Sequence, residues 1–133
     1  MDRMELCRQL RNSTKRHYNC AQSVLIPFCA ETGLSEERAC ALAEHFGGGM
    51  HMGATCGALT GGLMVLGLLG YSQAESTALI QRFTRRHGHL NCRDLLAANA
   101  AAGGEKKPHC DDMVYQMVAD LDALLAQDAE KAQ

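Results

Sequence analysis

The sequence predicts an all-α fold, a compact bundle of about five to six helices around a buried, glycine-rich central helix. No segment of any length alternates apolar and polar residues with the period of two that a half-buried strand requires. Helix-capping residues and glycines instead mark a succession of helix starts and stops. The last helix has the apolar stripe typical of a helix packed on a core, at Met113, Val114, Met117, Leu121, Leu124 and Leu125.

The first half of the chain predicts three helices. The first covers about residues 2–14, and the second begins at Asn19, whose side chain can cap the first turn. Pro27 falls inside the second helix and should bend it, because proline cannot donate the backbone hydrogen bond of a helix interior. Gly33 ends that helix, and Ser35 starts the third.

A glycine-rich segment predicts the central helix. Residues 52–74 contain no charged side chain, yet the apolar part is shorter than the ~20 residues that span a bilayer. The spacing of Gly53, Gly57 and Gly61 removes side chains from one helical stripe, so that another backbone or a cofactor can come close. We therefore expect a buried helix that begins at Cys56 and does not span a membrane, with Gly57 and Gly61 as candidate cofactor-binding positions.

Two further helices are marked by their caps. Ser72 is expected to cap a helix that runs to about Arg86, and Gly88 interrupts the chain after it. Asn91 is expected to cap a short helix that ends near Ala98.

The C-terminal part is expected to hold one long helix. Residues 101–107 have the composition of a linker, although the chain as a whole forms a single domain of 133 residues. The last helix is predicted from about Pro108 or His109 to Gln127, and residues 128–133 are predicted to form a frayed tail.

Composition and charge exclude several classes of function. With 47% apolar and 21% charged residues, the chain has the make-up of a soluble globular protein. A net charge of −2, few aromatics and no Trp argue against a nucleic-acid-binding surface. The basic run Lys15-Arg16-His17 is expected to be a solvated helix end or the neighbour of an anion. The N-terminus lacks a secretion-signal pattern, so a cytoplasmic location is expected.

The chain is rich in cysteine. It has seven cysteines, an odd number, widely spaced and without a CxxC motif, which argues against a static disulfide framework. Cys7, Cys29 and Cys40 lie inside predicted helices and are expected to pack as small hydrophobic residues.

The other four cysteines each stand where a helix is predicted to begin: Cys20, Cys56, Cys92 and Cys110. A helix N-terminus offers unpaired N–H groups and the positive end of the helix dipole, which favour a thiolate over a thiol. Four such thiols in a small chain indicate sulfur chemistry or metal binding. Helix starts can converge at one end of a bundle, although the sequence alone does not establish that these do.

Histidines lie near three of these cysteines. His17 and His89 precede Cys20 and Cys92 by three residues, and His109 is next to Cys110. Such side chains could polarise a thiol or ligate a metal, but histidine is also common as a polar residue at helix ends. We expect the second role for them, and also for His51 of the glycine loop.

The segments that carry these cysteines together resemble a known family. They are Asn19-Cys-Ala-Gln22, Phe46-Gly-Gly-Gly-Met50, Cys56-Gly-Ala-Leu-Thr-Gly61, Leu90-Asn-Cys92-Arg-Asp-Leu-Leu96 and Cys110. The chain is similar, over roughly residues 19–118, to the C-GCAxxG-C-C family of redox-active bacterial proteins, some members of which use selenocysteine. The resemblance implies a redox role for Cys20, Cys56, Cys92 and Cys110, and it implies no particular substrate.

Two redox hypotheses follow. In the first, the protein is a thiol-dependent oxidoreductase whose thiols cycle between dithiol and disulfide, exchanging electrons with a redox protein or a small molecule. Cys56 is the predicted attacking thiol, because the glycines around it leave room for a partner sulfur. In the second, the same four thiolates hold a cofactor, a [2Fe–2S] cluster before zinc, although their spacing matches no familiar ferredoxin or zinc-finger pattern.

A third hypothesis is a helical interaction module without catalytic chemistry. The cysteines would then only pack in the core, and the glycine-rich helix with Met50, Met52 and Met64 would mark a helix–helix or homodimer surface.

Overall fold

The computed structural model describes residues 2–131, and its regular structure is helical apart from one isolated backbone bridge. The α-helical segments are α1 Arg3–Arg11, α2 Cys20–Leu25, α3 Cys29–Thr32, α4 Glu36–Ala43, α5 Gly57–Leu68, α6 Gln73–His87, α7 Cys92–Ala101 and α8 Lys106–Lys131. A 3-10 turn, Ile26–Phe28, joins α2 to α3, so these two form one bent helix and the described residues hold seven helices. The all-α prediction is confirmed, with slightly more helices than expected.

The ends of the first helices follow the expected local chemistry. Pro27 lies in the 3-10 turn between α2 and α3, where it bends the helix as predicted. Gly33 ends α3 with a φ of +81°, a left-handed conformation that glycine adopts without steric cost. The Ser35 side chain accepts a hydrogen bond from the backbone N–H of Arg38 and caps α4.

The glycine-rich helix α5 lies at the centre of the bundle, packed against α2 and α8. A Cβ at Gly61 would stand 2.9 Å from the carbonyl oxygen of Ala21, and a Cβ at Gly62 would stand 2.6 Å from Sδ of Met117. These glycines therefore let α2 and α8 approach the α5 backbone, which confirms the predicted buried helix. Gly53 lies before the helix, in a loop with a φ of +69°, and does not belong to the stripe.

The last two helices are longer than predicted. The α7 helix continues to Ala101 because its final residues are mostly alanine, the strongest helix former. The α8 helix begins at Lys106, and Pro108 is its third residue, a position whose N–H has no partner within the helix. The connection between α7 and α8 is thus shorter than the predicted linker 101–107.

The long helix α8 also extends to Lys131, beyond the predicted end at Gln127. Fraying of residues 128–133 stays a prediction, and residues 132–133 lie outside the described part of the chain. Over residues 2–131, no helix combines the length and the apolar character that crossing a bilayer demands. Of the three methionines predicted to mark a dimer surface, Met52 is 67% exposed, whereas Met50 and Met64 are half-buried.

Candidate functional site

One cavity of about 50 Å3 is lined by four cysteines from four different helix-start regions: Cys20, Cys56, Cys92 and Cys110. Its remaining walls are mostly apolar, with Leu95, Leu96 and Met113 among them. Gly57 lines the cavity, whereas Gly61 faces the α2 backbone and leaves space for helix packing only. The convergence that the sequence could not establish is therefore present in the fold.

Cys20 is fixed by the cap of its own helix. Asn19 Oδ1 accepts from the backbone N–H of Gln22 at 2.8 Å, and Gln22 Oε1 accepts from the backbone N–H of Asn19 at 2.9 Å. This is a reciprocal capping box. The Asn19 amide also donates to the carbonyl oxygens of Ala43 and Glu44, both at 3.1 Å, and so ties the start of α2 to the end of α4. Cys20, the first residue of α2, is held at a well-anchored corner.

Cys56 and Cys92 are held side by side by a short backbone bridge. The Cys56 N–H donates to the carbonyl of Leu90 at 2.9 Å, and the Cys92 N–H donates to the carbonyl of Ala54 at 2.6 Å. The chain then enters α5 after Cys56 and α7 at Cys92. Cys56 and Cys92, which are far apart in sequence, therefore lie beside one antiparallel backbone bridge, at the same edge of the cavity.

This bridge replaces the side-chain cap predicted for α7. Asn91 occupies the N-cap position, but its side chain makes no capping hydrogen bond, so that prediction is wrong. Backbone pairing of Asn91 with Thr55 holds the start of the helix instead. The segments Asn19-Cys20 and Asn91-Cys92, which look alike in sequence, are therefore anchored in different ways.

Cys110 departs from the predicted helix-start position. It is the fifth residue of α8, one turn after Lys106, because the helix begins earlier than expected. The neighbouring Cys20 thiol and the positive charges of Arg11 and Lys106 together lower the pKa of Cys110 to about 7, against the opposing effect of burial. The proximity of Cys110, together with burial, raises the pKa of Cys20.

At Cys56 and Cys92, burial raises the thiol pKa by more than the helix N-terminus lowers it. Burial raises the pKa of Cys56 to about 11, although the backbone N–H groups of Ala58 and Leu59 donate to its sulfur and partly offset this. Burial also raises the pKa of Cys92, and the neighbouring Cys110 adds to the effect. Cys56, the thiol predicted to attack, is only 5% exposed, and its role in attack stays a prediction. Among these four thiols, the one most inclined to ionise is Cys110.

Arg11 is a site residue that the sequence did not single out. Its side chain, only 7% exposed, pairs with Asp111 at 2.7 Å from Nε to Oδ1 and donates to the carbonyl of Tyr18 at 3.0 Å. Its charge acts on both Cys20 and Cys110. The sequence signal for this ion pair was weak. It consisted of an arginine on the first helix and an aspartate next to Cys110, and nothing in the sequence places α1 against α8.

The histidines are distributed around the site unequally. His109 lines the cysteine cavity, whereas His17 and His51 line a separate shallow cleft at the end of α4. His89 is exposed and lines neither of them. The structure thus brings one of the four histidines to the thiols.

The three remaining cysteines lie outside the cavity, in keeping with a packing role. Cys7 is fully buried, and burial raises its pKa to about 12. The buried Cys40 sulfur accepts a hydrogen bond from the Gln22 amide at 3.3 Å. Cys29 is half-buried, and burial raises its pKa as well.

The glycine loop that borders the cavity has an unusual backbone. Four successive residues, Gly48, Gly49, Met50 and His51, have φ between +59° and +63°. A Cβ at Gly49 would stand 2.4 Å from the carbonyl oxygen of Ala54, so the close turn requires glycine there. Left-handed backbone at the two non-glycine residues costs on the order of 1–3 kcal/mol each, and such strain clusters at functional sites.

The donor chemistry of the cavity suits a metal as well as a dithiol. Four cysteines are a common ligand set for iron–sulfur clusters and for zinc. Within residues 2–131, no three His, Cys, Asp or Glu side chains are arranged so as to hold a metal ion in their present positions.

The chain was compared with curated proteins, solved structures and family models. No curated protein and no solved structure matches it. A family model described as "Putative redox-active protein (C_GCAxxG_C_C)" matches residues 18–124, a range that contains all four cavity cysteines and most of the chain. The chain therefore belongs to the C_GCAxxG_C_C family.

Proposed function

We propose that the protein is a thiol–disulfide redox protein in which Cys20 and Cys110 cycle between a dithiol and a disulfide. The observation that carries this proposal is that both thiols line the cysteine cavity and lie close enough for each to shift the other's pKa. Two neighbouring thiols in one cavity are placed for exchange, and Arg11 supplies a positive charge that favours the thiolate. In this role the protein acts as a thiol-dependent oxidoreductase.

The first step assigns the attack to Cys110. Its thiolate displaces one sulfur of a substrate disulfide, so that a mixed disulfide forms between Cys110 and one half of the substrate while the other half leaves as a thiolate. The leaving thiolate takes a proton from solvent. A thiol with a pKa of about 7 is half ionised near neutral pH, where attack by thiolates is most effective.

The second step assigns resolution to Cys20. While Cys110 is an anion, its negative charge close to the Cys20 thiol keeps the pKa of Cys20 high. Once the Cys110 sulfur is bonded to the substrate, it carries no negative charge. The pKa of Cys20 then falls, and Cys20 can lose its proton. The Cys20 thiolate then attacks the Cys110 sulfur, forms the intramolecular disulfide and releases the second half of the substrate as a thiol. Two protein thiols are oxidised and one substrate disulfide is reduced.

Cys56 and Cys92 form a second thiol pair at the same cavity. Exchange between this pair and the Cys20–Cys110 disulfide would conserve electrons, because one disulfide forms for each one that breaks. Such a relay would link the reactive pair to an electron donor, either a redox protein or a small molecule. A reducing cytoplasm, the location expected from the sequence, would keep the resting protein in the dithiol form.

A cofactor-binding function is the second candidate, and the convergence of four thiols on one cavity favours it. Cys20, Cys56, Cys92 and Cys110 would hold a [2Fe–2S] cluster, or zinc less readily, and the cluster would supply one-electron transfer. The backbone N–H groups that already donate to the Cys56 sulfur, from Ala58 and Leu59, would then tune its potential.

One preparation distinguishes the two candidates. The protein is purified without oxygen, its iron, sulfide and zinc are measured, and its free thiols are counted before and after mild oxidation. The dithiol function predicts little bound metal and a loss of two thiols on oxidation, or of four where the Cys56–Cys92 pair is oxidised as well. Visible absorption together with two irons and two sulfides per chain would instead establish the cluster.

A further inference from the structure

A surface cleft next to the cysteine cavity is strongly basic. The cleft has a volume of about 520 Å3, and its basic lining residues are Arg11, Lys15, Arg16, His17, Lys106 and Lys107. No acidic side chain is among its lining residues in the described part of the chain. This concentration of positive charge is local, since the whole chain has a net charge of −2.

The positive charge of the cleft is only partly neutralised. Asp111 pairs with both Arg11 and Lys107, at 2.7 Å and 2.9 Å. Arg16 approaches Glu44 at 3.6 Å, and both of these side chains are about half exposed, so that pair is screened by solvent. Lys15 and Lys106 have no acidic partner among residues 2–131. Two carboxylates thus pair with three of the five cationic side chains.

Two residues of the cleft lie near the redox site, although the cleft and the cysteine cavity share no lining residue. Arg11 lines the cleft, and its charge reaches the thiols of Cys20 and Cys110. Lys106 also lines the cleft, and it stands four residues before Cys110 on α8, so both lie on the same face of that helix. An anion bound in the cleft would therefore lie beside the reactive thiol pair.

We propose that this cleft binds the anionic groups of the substrate, and that the substrate is a small disulfide carrying carboxylates. The inference rests on the proposed thiol–disulfide function and adds a substrate class to it. The cleft volume falls within the range of roughly 300–1,000 Å3 typical of small-molecule sites. Lysine and arginine heads pair with carboxylates, and their field raises the rate at which anions meet the site.

The cleft takes no part in the exchange of bonds. The substrate R–S–S–R is reduced to two R–SH, and Cys20 and Cys110 are oxidised to one disulfide, as in the steps above. The carboxylates remain unchanged at the far ends of R. Their contacts hold the sulfur–sulfur bond near Cys110, so charge on the substrate governs the rate of the first attack.

The test compares three alkyl disulfides that differ in charge. Reduced protein is mixed with 3,3′-dithiodipropionate (two negative charges), 2-hydroxyethyl disulfide (neutral) or cystamine (two positive charges), and the rate constant of thiol loss is measured. The cleft variant is Lys15→Gln with Arg16→Gln. The control variant is Arg38→Gln with Arg85→Gln, which removes the same charge from exposed positions outside the cleft.

The cleft variant is expected to slow the reaction of dithiodipropionate roughly tenfold at low salt, and added salt should reduce this difference. Its reaction with hydroxyethyl disulfide should change less than twofold, and the control variant should resemble the parent protein. Equal effects of the cleft variant on all three disulfides, or an equal loss in the control variant, would overturn the proposal.

A second readout separates this inference from the function on which it rests. Tricarballylate, a tricarboxylate without sulfur, is titrated into the reduced protein while backbone amide NMR signals are recorded. Shifts at Lys15, Arg16 and Lys106 that weaken in the cleft variant support an anion site even if no disulfide reacts, in which case the redox proposal fails. Reaction with all three disulfides without such shifts would reject the cleft and leave the redox proposal standing.

Discussion

The thiols of Cys20 and Cys110 line the same cavity and shift each other's pKa in opposite directions, although one belongs to the first residue of α2 and the other to the second turn of α8. Cys110, whose pKa is lowered, is the thiol expected to ionise first, with Arg11 as a nearby positive charge. Cys20, whose pKa is raised, is expected to keep its proton. This division of roles underlies the predictions on reactivity that follow.

The reactivity of Cys110 should rise through neutral pH. A thiolate alkylates much faster than a thiol, and a pKa of about 7 means that the thiolate is populated above pH 7 and lost below it. Iodoacetamide labelling of reduced protein, followed residue by residue by mass spectrometry, should therefore give a midpoint near pH 7 for Cys110. Cys56 should stay unlabelled to far higher pH, because burial raises its pKa to about 11.

Removal of the charge at Arg11 should shift that labelling profile. In Arg11→Gln the thiolate loses a nearby cation, so the midpoint for Cys110 should move up by roughly one pH unit. Arg38→Gln, an exposed arginine outside the site, serves as the control and should leave the midpoint in place. An unchanged midpoint in Arg11→Gln, in protein with parental circular dichroism, would contradict the role given to this arginine.

Single serine variants should separate attack from resolution. Cys110→Ser should lose the fast reaction with dithiodipropionate by at least tenfold, because no other cavity thiol has a lowered pKa. Cys20→Ser should still react, but it should accumulate a mixed disulfide on Cys110 that is visible as an added mass. Cys29→Ser, half-buried and outside the cavity, is the matched control and should behave as the parent. A mixed disulfide that accumulates on Cys56 instead would refute this order of events.

The two similar Asn-Cys phrases should differ in their contribution to stability. Asn19→Ala removes the capping box and the bonds to two carbonyl groups at the end of α4, so it should lower the free energy of unfolding by roughly 1–2 kcal/mol or more. Asn91→Ala should cost less than about 0.5 kcal/mol, because that side chain makes no capping bond. Urea unfolding followed by circular dichroism measures both, and equal losses would contradict the difference.

The glycines of α5 should show which positions serve helix packing. Gly61→Ala would place a Cβ 2.9 Å from the Ala21 carbonyl, which the α2 backbone cannot easily avoid, and a loss of roughly 1–3 kcal/mol is expected. Gly67 lies in the same helix with open space where a Cβ would stand, so Gly67→Ala should instead stabilise by roughly 0.5 kcal/mol. In thermal unfolding, Gly61→Ala should lower the melting temperature and Gly67→Ala should raise it. A change in the same direction in both variants would argue against close packing at Gly61.

The sequence predicted the elements of the fold better than the electrostatics of the site. Ser35, Ser72 and Gly33 have local chemistry that specifies a helix end whatever the rest of the chain does, and all three predictions are confirmed. Asn91 looked equally clear, but its helix start is held by a backbone bridge to Thr55, a long-range contact without a local sequence signal.

The choice of the reactive thiol depended on tertiary structure for the same reason. A helix N-terminus is a local property that pointed to all four thiols, and the glycines around Cys56 singled it out, but burial by surrounding helices raises its pKa. Cys110 lies beyond the first residues of its helix and gains its lowered pKa from Cys20 and Arg11, which come from distant parts of the chain. The left-handed turn from Gly48 to His51 was likewise expected only as a loop, because positive φ is uncommon at non-glycine residues such as Met50 and His51.

Identification of the disulfide formed on oxidation tests the central claim most directly. Reduced protein is oxidised with one equivalent of a disulfide such as dithiodipropionate, remaining thiols are blocked at low pH, and the linked peptides are identified by mass spectrometry. The account predicts a bond between Cys20 and Cys110, with Cys7, Cys29 and Cys40 recovered as free thiols. Oxidised protein in which Cys20 and Cys110 are both recovered as free thiols would contradict it.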